Sequence, residues 1–213
     1  MVASELAVLV TKVRKRLAST VVDSFTLNRV MRMVIIEFKG AFGYEGMARK
    51  LFYWGYESGH EFLMRMERDV TRFSLNERSL RFLARMAWYL FAGNDPTVEV
   101  RRERAEGGEW MVIRVRDPKN PAALGIEMGH KVSFYEAGAY EGASNTFALL
   151  KGGDYRVVAR ETRCLARGDE CCELLVVYLP RGVPFKAVED RYPEAFAEIP
   201  ADYSEELFRR FFA

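Results

Sequence analysis

The segment ETRCLARGDECC, which runs from Glu161 to Cys172, has the pattern of two β-strands joined by a short turn. Its middle, Arg167-Gly168-Asp169, contains residue types that tolerate positive φ, so we place the turn there. The strands on either side run from Tyr155 to Cys164 and from Cys172 to Leu179. The segment therefore predicts a β-hairpin that brings Glu161, Cys164 and Cys172 together.

These three side chains form a candidate metal site. Thiolates and carboxylates are common ligands of zinc, which usually binds four ligands in a tetrahedral arrangement. Cys171 could supply a fourth ligand, but neighbouring residues of a regular strand point to opposite faces, so it would need a β-bulge to do so. The alternative interpretation is that all three cysteines are small buried apolar residues that bind no metal.

In the sequence before this hairpin, the apolar spacing predicts four helices, another hairpin and one further helix. The helical segments are Leu6 to Leu17, Leu27 to Phe38, Tyr44 to Met66, a helix from the capping box Ser74-x-x-Glu77 to Gly93, and His130 to Leu150. Alternation around Gly107-Gly108 predicts the first hairpin. This order predicts an α/β fold of the α+β kind, in which N-terminal helices pack against an antiparallel sheet of hairpins.

Two glycine pairs mark the predicted helices, and aromatic residues surround both. Each helical glycine costs about 1 kcal/mol relative to alanine, so a pair spaced by four residues indicates close approach of another helix or of a ligand. A packed core is one interpretation of the aromatic residues, and a pocket for a hydrophobic ligand is the other. The candidate ligand-binding residues are Trp54, Gly55, Gly59, His130, Phe134, Tyr135, Gly138 and Tyr140.

Composition restricts the classes of partner and the compartment. The net charge of +2 provides no overall field that would attract nucleic acid. The longest apolar runs are shorter than the roughly 20 residues that a membrane-spanning helix needs, and no secretory leader is visible. The 3 cysteines are a poor disulfide framework, which favours a reducing compartment. We therefore expect a cytoplasmic protein that neither binds nucleic acid by itself nor spans a membrane.

The order of the motifs resembles the 4-vinyl-reductase domain family, particularly the sensor region of phenol- and xylene-responsive transcription activators. Those sensors carry G-Y-A-S-G on a helix, and this chain has GYESG from Gly55 to Gly59. Farther along they have C-W-x-x-x-G-Y-x-x-G-x-x-x-A-F, then E-x-x-C and a second cysteine. The corresponding residues here are Ser133, Phe134, Gly138, Gly142 and Phe147, followed by Glu161, Cys164, Gly168 and Cys172.

The resemblance implies a fold shared with subunits of the vesicle-tethering transport protein particle (TRAPP) complex, a homodimer and a buried pocket for a small hydrophobic molecule. It also implies zinc held by the glutamate, the two hairpin cysteines and a helix cysteine. Ser133 stands at the position of that helix cysteine, so Cys171 or water would have to complete the site. The phenol-contacting histidine and tryptophan of the sensors have no clear counterparts here.

We divide the chain into an N-terminal helical segment, residues 1–39, a ligand-binding domain, residues 40–180, and a C-terminal arm with a short helix, residues 181–213. The first functional hypothesis is a non-enzymatic module that binds or senses a small hydrophobic or aromatic molecule, with zinc as a stabilising ion. The second is a TRAPP-like scaffold whose core is filled by side chains. The third is an accessory protein or enzyme of tetrapyrrole or aromatic metabolism, although no set of catalytic residues stands out.

Overall fold

A computed structural model describes residues 24–120, 123 and 125–212 of the chain. The helix expected over Leu6 to Leu17 lies outside these residues. The helices are α1 (Ser24–Arg65), α2 (Glu67–Val70), α3 (Glu77–Ala92), α4 (Phe134–Leu150), α5 (Lys186–Arg191) and α6 (Ala201–Phe212). The strands are β1 (Thr97–Ala105), β2 (Gly108–Asp117), β3 (Tyr155–Arg163) and β4 (Cys172–Pro180), and short 3₁₀ turns occur at Leu165–Arg167 and Pro193–Ala195.

The four strands form one antiparallel sheet in the order β1-β2-β4-β3. Each predicted hairpin is present, and the two hairpins join through β2 and β4. Along β2, Ile113 and Val115 face the core shared with α1, α3 and α4, whereas Trp110 and Val112 face a second core on the other side. Helices packed on an antiparallel sheet confirm the predicted α+β fold class.

The pairing of α1 with α4 depends on the two glycine pairs. A Cβ atom added at Gly55 would lie 2.0 Å from the carbonyl oxygen of Tyr135, and one at Gly59 would lie 2.1 Å from that of Ala139. Gly138 meets the backbone of α1 in the same way. The two helices therefore touch backbone to backbone, which only glycine permits on both sides. Of the two readings of these glycines, close approach of another helix is the one observed.

Two helix boundaries differ in detail from the sequence pattern. The segments expected as separate helices on either side of Gly43 form one long helix with a kink, where Gly43 has φ 70° and ψ 179°. The expected cap at Ser74 is wrong, because the side chain of Asn76 accepts the hydrogen bond from the Ser79 amide and begins α3. None of the described helices has the length and apolar character needed to cross a bilayer.

The second face of the sheet is covered by residues from the C-terminal part of the chain. Phe185, Val188 and Phe196 are buried against it. On β3, the buried Arg160 donates hydrogen bonds to Glu141 of α4 at 2.7 Å and to the Ile199 carbonyl at 2.8 Å. This charged pair thus links both layers of the molecule. The division of the chain at residues 39 and 180 stays a prediction.

Candidate functional site

A β-bulge in β3 brings the three predicted metal ligands to one side of the sheet. Glu161 lies opposite Leu174 and Arg163 lies opposite Glu173, so Thr162 is an extra residue in the pairing. Glu161 and Cys164 are three positions apart and would face opposite sides of a regular strand. Because the bulge adds one residue, both side chains face the helices.

The Glu161, Cys164 and Cys172 ligand atoms all lie within 4.8 Å of one another, and all three residues are buried. Cys172 opens β4 directly after the turn, and Asp169 holds that turn by accepting a hydrogen bond from the Cys164 amide at 2.7 Å. We call these three residues the Glu-Cys-Cys cluster. The sequence prediction that the hairpin assembles them is consistent with this geometry.

Glu161 also fixes the start of α4. One carboxylate oxygen, Oε2, accepts hydrogen bonds from the backbone amides of Val132 and Ser133 at 3.1 and 2.8 Å. The other oxygen, Oε1, is buried and has no hydrogen-bond partner among the described residues. A carboxylate held by one oxygen, with the second free beside two thiols, has the arrangement that a metal ligand needs.

The electrostatics of the cluster depend on burial. Desolvation raises the pKa of Glu161 well above its ordinary value. A hydrogen bond with Cys172, together with burial, raises the pKa of Cys164. Without a cation the cluster therefore favours its protonated, neutral form. A divalent cation would have to displace these protons, so its affinity would increase with pH.

The surroundings of the cluster decide between the proposed fourth ligands. The Ser133 hydroxyl lies 3.8 Å from the Cys172 sulfur, at the beginning of α4. Cys171 is not part of the cluster, and the charges that act on its thiol are those of Glu173, Arg163, Arg116 and Asp169. The donor set therefore fits zinc with three protein ligands and water in the fourth position, without Cys171.

A separate apolar cavity of about 60 Å³ lies between the helical layer and the sheet. It is bounded by Phe62 of α1, Leu83 of α3, Phe147 of α4 and Ile113 of β2, among others. None of its lining side chains is charged. The cavity can therefore accept apolar atoms without burying a charge.

The polar groups among the lining side chains are three hydroxyls, those of Tyr140, Ser144 and Tyr178. Tyr140 donates a hydrogen bond to the Ala84 carbonyl at 2.6 Å, so its hydroxyl is already paired. Burial raises the pKa of Tyr178, and the neighbouring Ser144 hydroxyl lowers it by less. These phenols consequently stay neutral at physiological pH and offer hydrogen bonds without charge.

Of the eight predicted ligand-binding residues, Tyr140 lines the cavity. Gly55, Gly59 and Gly138 lie in the contact between α1 and α4. Trp54 is 45% exposed on the outer side of α1. The remaining three, His130, Phe134 and Tyr135, are likewise not among the cavity-lining residues.

His130 precedes α4 instead of lying within it, which corrects the predicted start of that helix. Its ring packs 4.1 Å from the ring of Tyr44, and burial lowers its pKa. Phe134 is buried next to the same tyrosine, at 5.9 Å between ring centroids. Both residues therefore lie at the end of α4 that carries the Glu-Cys-Cys cluster.

Sequence reasoning missed most of the cavity lining, because it comes from six helices and strands that are spread along the sequence. Phe62, Leu83 and Ser144 follow ordinary helical spacing and carry no local signal. Tyr178 offers the one available signal, since it interrupts the aliphatic run of β4 and faces the helices.

A comparison with a solved structure supports the fold. A crystal structure of trafficking protein particle complex subunit 3 from Naegleria fowleri, covalently bound to palmitic acid, aligns with a TM-score of 0.55. The match covers 73% of this chain and 95% of that chain at 16% identity. The chain has a TRAPP-like fold. At this identity the TRAPP-like match establishes the architecture alone.

A second similar structure is the phenol-responsive sensory domain of the transcription activator PoxR with phenol. It matches with a TM-score of 0.49 at 16% identity and covers 84% of this chain and 83% of that chain. No model of a protein family matches the sequence, and no curated protein sequence matches it either. Function must therefore be argued from the site itself.

Proposed function

We propose that this TRAPP-like protein is a non-enzymatic module that binds a small, neutral hydrophobic molecule in the cavity between the helices and the sheet. The observation that carries the proposal is the uncharged lining of that cavity, with a hydroxyl pair, Ser144 and Tyr178, on one wall. Most ligand sites are apolar with a few polar groups that fix orientation. The lining has that composition.

The charge of the ligand follows from the lining. A carboxylate or ammonium group in this cavity would lose its hydration without gaining a partner of opposite charge, which is costly. A neutral molecule with one hydroxyl or carbonyl group could instead exchange hydrogen bonds with the Ser144 and Tyr178 hydroxyls. We therefore assign the ligand to neutral aromatic or aliphatic compounds with at most one polar group.

The size of the ligand depends on side chains that can move. A cavity of about 60 Å³ is smaller than the roughly 150 Å³ of an engineered cavity that binds benzene. Met66 and Met86 are part of the lining, and methionine changes rotamer at low cost because it is unbranched. Ligand entry would thus displace these two side chains and enlarge the cavity.

Thermal unfolding with a panel of neutral hydrophobic compounds tests this function. A ligand present at about 100 times its Kd stabilises a protein by roughly 2.7 kcal/mol, which should raise the Tm by several degrees. Ala87→Leu, at the cavity, should abolish the shift because the added atoms occupy the ligand's space. Ala187→Leu, at a partly buried site in the second core, is the matched control and should retain it.

The scaffold hypothesis predicts a different outcome of the same experiment. If side chains fill the core permanently, no compound shifts the Tm of the unmodified protein or of either variant. That result, together with native mass spectra free of any co-purifying small molecule, would exclude the binding function.

We also propose that the Glu-Cys-Cys cluster holds one zinc ion, with water as the fourth ligand. Support comes from the buried, unpartnered Oε1 of Glu161 and from the two thiols close to it. When bound, zinc would supply a crosslink within the hairpin, between β3, the turn and the beginning of β4. Val132 and Ser133 would orient Glu161 through their amides.

Elemental analysis of protein purified without a metal-binding tag tests the zinc site. We expect about one equivalent of zinc per chain, which Cys164→Ala and Cys172→Ala should each remove. Cys171→Ala is the matched control, since its thiol lies outside the cluster, and it should retain the metal. Zinc-free wild-type protein, or loss of zinc from the Cys171 variant as well, would contradict the proposal.

A further inference from the structure

A group of buried polar atoms lies where α1, α4 and β3 meet beneath α6. The group consists of the hydroxyl oxygen of Tyr56 in α1, Oε1 of Glu141 in α4 and Nε of Arg156 in β3, and none of these atoms has a hydrogen-bond partner among the described residues. Tyr56 and Glu141 are fully buried. Such atoms are rare in native proteins, because each loses its hydration without compensation. We call the three atoms the buried polar site.

The side chains of the buried polar site are neighbours. Burial raises the pKa of Tyr56, the charge of Glu141 raises it further and the charge of Arg156 lowers it, so both charged groups lie close to the phenol. On the side of α6, the Phe211 ring packs against Tyr56 with ring centroids 5.1 Å apart. The Phe208 ring packs on the Arg156 guanidinium, at 4.5 Å from its centroid. Aromatic rings of α6 therefore separate the site from bulk solvent.

The neighbouring protein groups do not supply the missing partner of Tyr56. The side-chain amide of Asn145 lies next to the phenol, but its nitrogen donates to the carbonyls of Val157 at 2.7 Å and Glu141 at 3.0 Å. Both of its N–H groups are thus occupied. Burial raises the pKa of Glu141, and the Ser204 hydroxyl is among the groups that lower it, yet Ser204 does not bond to Tyr56. A partner of Tyr56 has to come from solution.

The charges around the site are already balanced. Oε2 of Glu141 forms an ion pair with Arg160 at 2.7 Å. The Arg156 guanidinium forms one with Glu205. An ion bound here would add an uncompensated buried charge, which is costly. A neutral group that both donates and accepts fits instead, because it can accept from Arg156 Nε, donate to Glu141 Oε1 and do either with the Tyr56 hydroxyl.

The room beside the site limits the size of that group. A cavity of about 10 Å³ is bounded by Asn145 and by Phe208 and Phe212 of α6, among others. A buried water molecule needs roughly 10–15 Å³ of such space and makes about three hydrogen bonds. We propose that the buried polar site binds one water molecule, which bridges α1, α4 and β3. None of its three residues lines the apolar cavity, so the proposal is independent of the ligand assigned there.

Tyr56→Phe in full-length protein tests the site through stability. Removing a buried hydroxyl that has no partner leaves the Tm unchanged or raises it, whereas removing one that binds water should lower the Tm by several degrees. We expect the lower Tm. Tyr140→Phe is the matched control, because its buried hydroxyl donates directly to the Ala84 carbonyl at 2.6 Å, and it should show a similar fall. A Tm of Tyr56→Phe at or above the wild-type value would overturn the proposal.

Counting bound water distinguishes a water partner from a direct contact within the protein. Magnetic relaxation dispersion of the solvent counts buried water molecules with long residence times. Tyr56→Phe should lose one of them relative to wild type, and Tyr140→Phe should lose none. A high-resolution crystal structure should show the water within about 3.2 Å of the Tyr56 and Glu141 oxygens. Equal counts in wild type and Tyr56→Phe, or a Tyr56 hydroxyl bonded to protein atoms alone, would contradict a bridging water.

Discussion

The two halves of α1, on either side of the kink at Gly43, use glycine in opposite ways. In the second half, Gly55 and Gly59 lie against the backbone of α4, where a methyl group would collide with carbonyl oxygens. In the first half, Gly40 has no atom within 4 Å of the position of a Cβ. The same residue is therefore required where the neighbour is backbone and costs stability where the neighbour is solvent.

The largest expected effect on stability is in the second half of α1, which packs against α4. Gly55→Ala would place a methyl group 2.0 Å from the Tyr135 carbonyl oxygen, and the backbone on both sides leaves little freedom to move. The helices must separate, so we expect the free energy of unfolding to fall by about 3 kcal/mol or more. Urea titration followed by circular dichroism measures this loss. If the variant is as stable as the wild type, the contact between α1 and α4 is loose.

A smaller effect is expected at Glu136, which lies on α4, the helix that packs against the second half of α1. Burial raises the pKa of this carboxyl to about 7 from 4.5, and the residue is only 8% exposed. Between these values the folded protein keeps a proton that the unfolded chain releases, so this group lowers stability as pH rises from about 4.5 to 7. The full contribution is up to about 3 kcal/mol.

Glu136→Gln should remove this pH dependence. We expect the variant and wild type to differ least near pH 4 and to diverge as the pH approaches 8, with the variant becoming relatively more stable. Unfolding free energies measured across this range provide the comparison. Curves that stay parallel would show that water reaches the carboxyl and that this part of α4 is less tightly enclosed.

The smallest expected effect is in the exposed half of α1. Gly40→Ala adds a methyl group where nothing obstructs it, and it reduces the freedom of the unfolded chain, so stability should rise by about 0.5 to 1 kcal/mol. Differential scanning calorimetry of this variant beside Gly55→Ala compares the same substitution at the two sites. Shifts of the same sign would remove the distinction between the two halves.

The sequence predicts the strands and a close approach at the helical glycines because each depends on a short, local pattern. Alternation locates β1 and β2, the turn residues Arg167-Gly168-Asp169 locate β3 and β4, and the glycine spacing indicates close approach of a helix or of a ligand. No sequence pattern marks the β-bulge at Thr162, because the bulge depends on how β3 pairs with β4. For that reason the sequence did not show how Glu161 and Cys164, three positions apart, come to face the same side of the sheet.

The cavity is the least predictable feature. Its existence depends on the volume that side chains of several elements leave unfilled, and no spacing in one element encodes that volume. The aromatic residues predicted to bind a ligand are large, and several are buried. Most of them, however, lie at the beginning of α4, away from the cavity. Tyr140 lies one turn farther along α4 than Glu136 and faces α3, and it therefore lines the cavity.

The contacts of α1 also determine when the protein can finish folding during synthesis. Tyr56 and His60 of α1 pack against Phe211 of α6, with ring centroids 5.1 and 5.4 Å apart. The glycine-bearing side of α1 must likewise wait until α4 has been made. A nascent chain that does not yet contain α6, or a chain truncated before it, would expose these aromatic rings, and we expect chaperones and proteases to act on that form first.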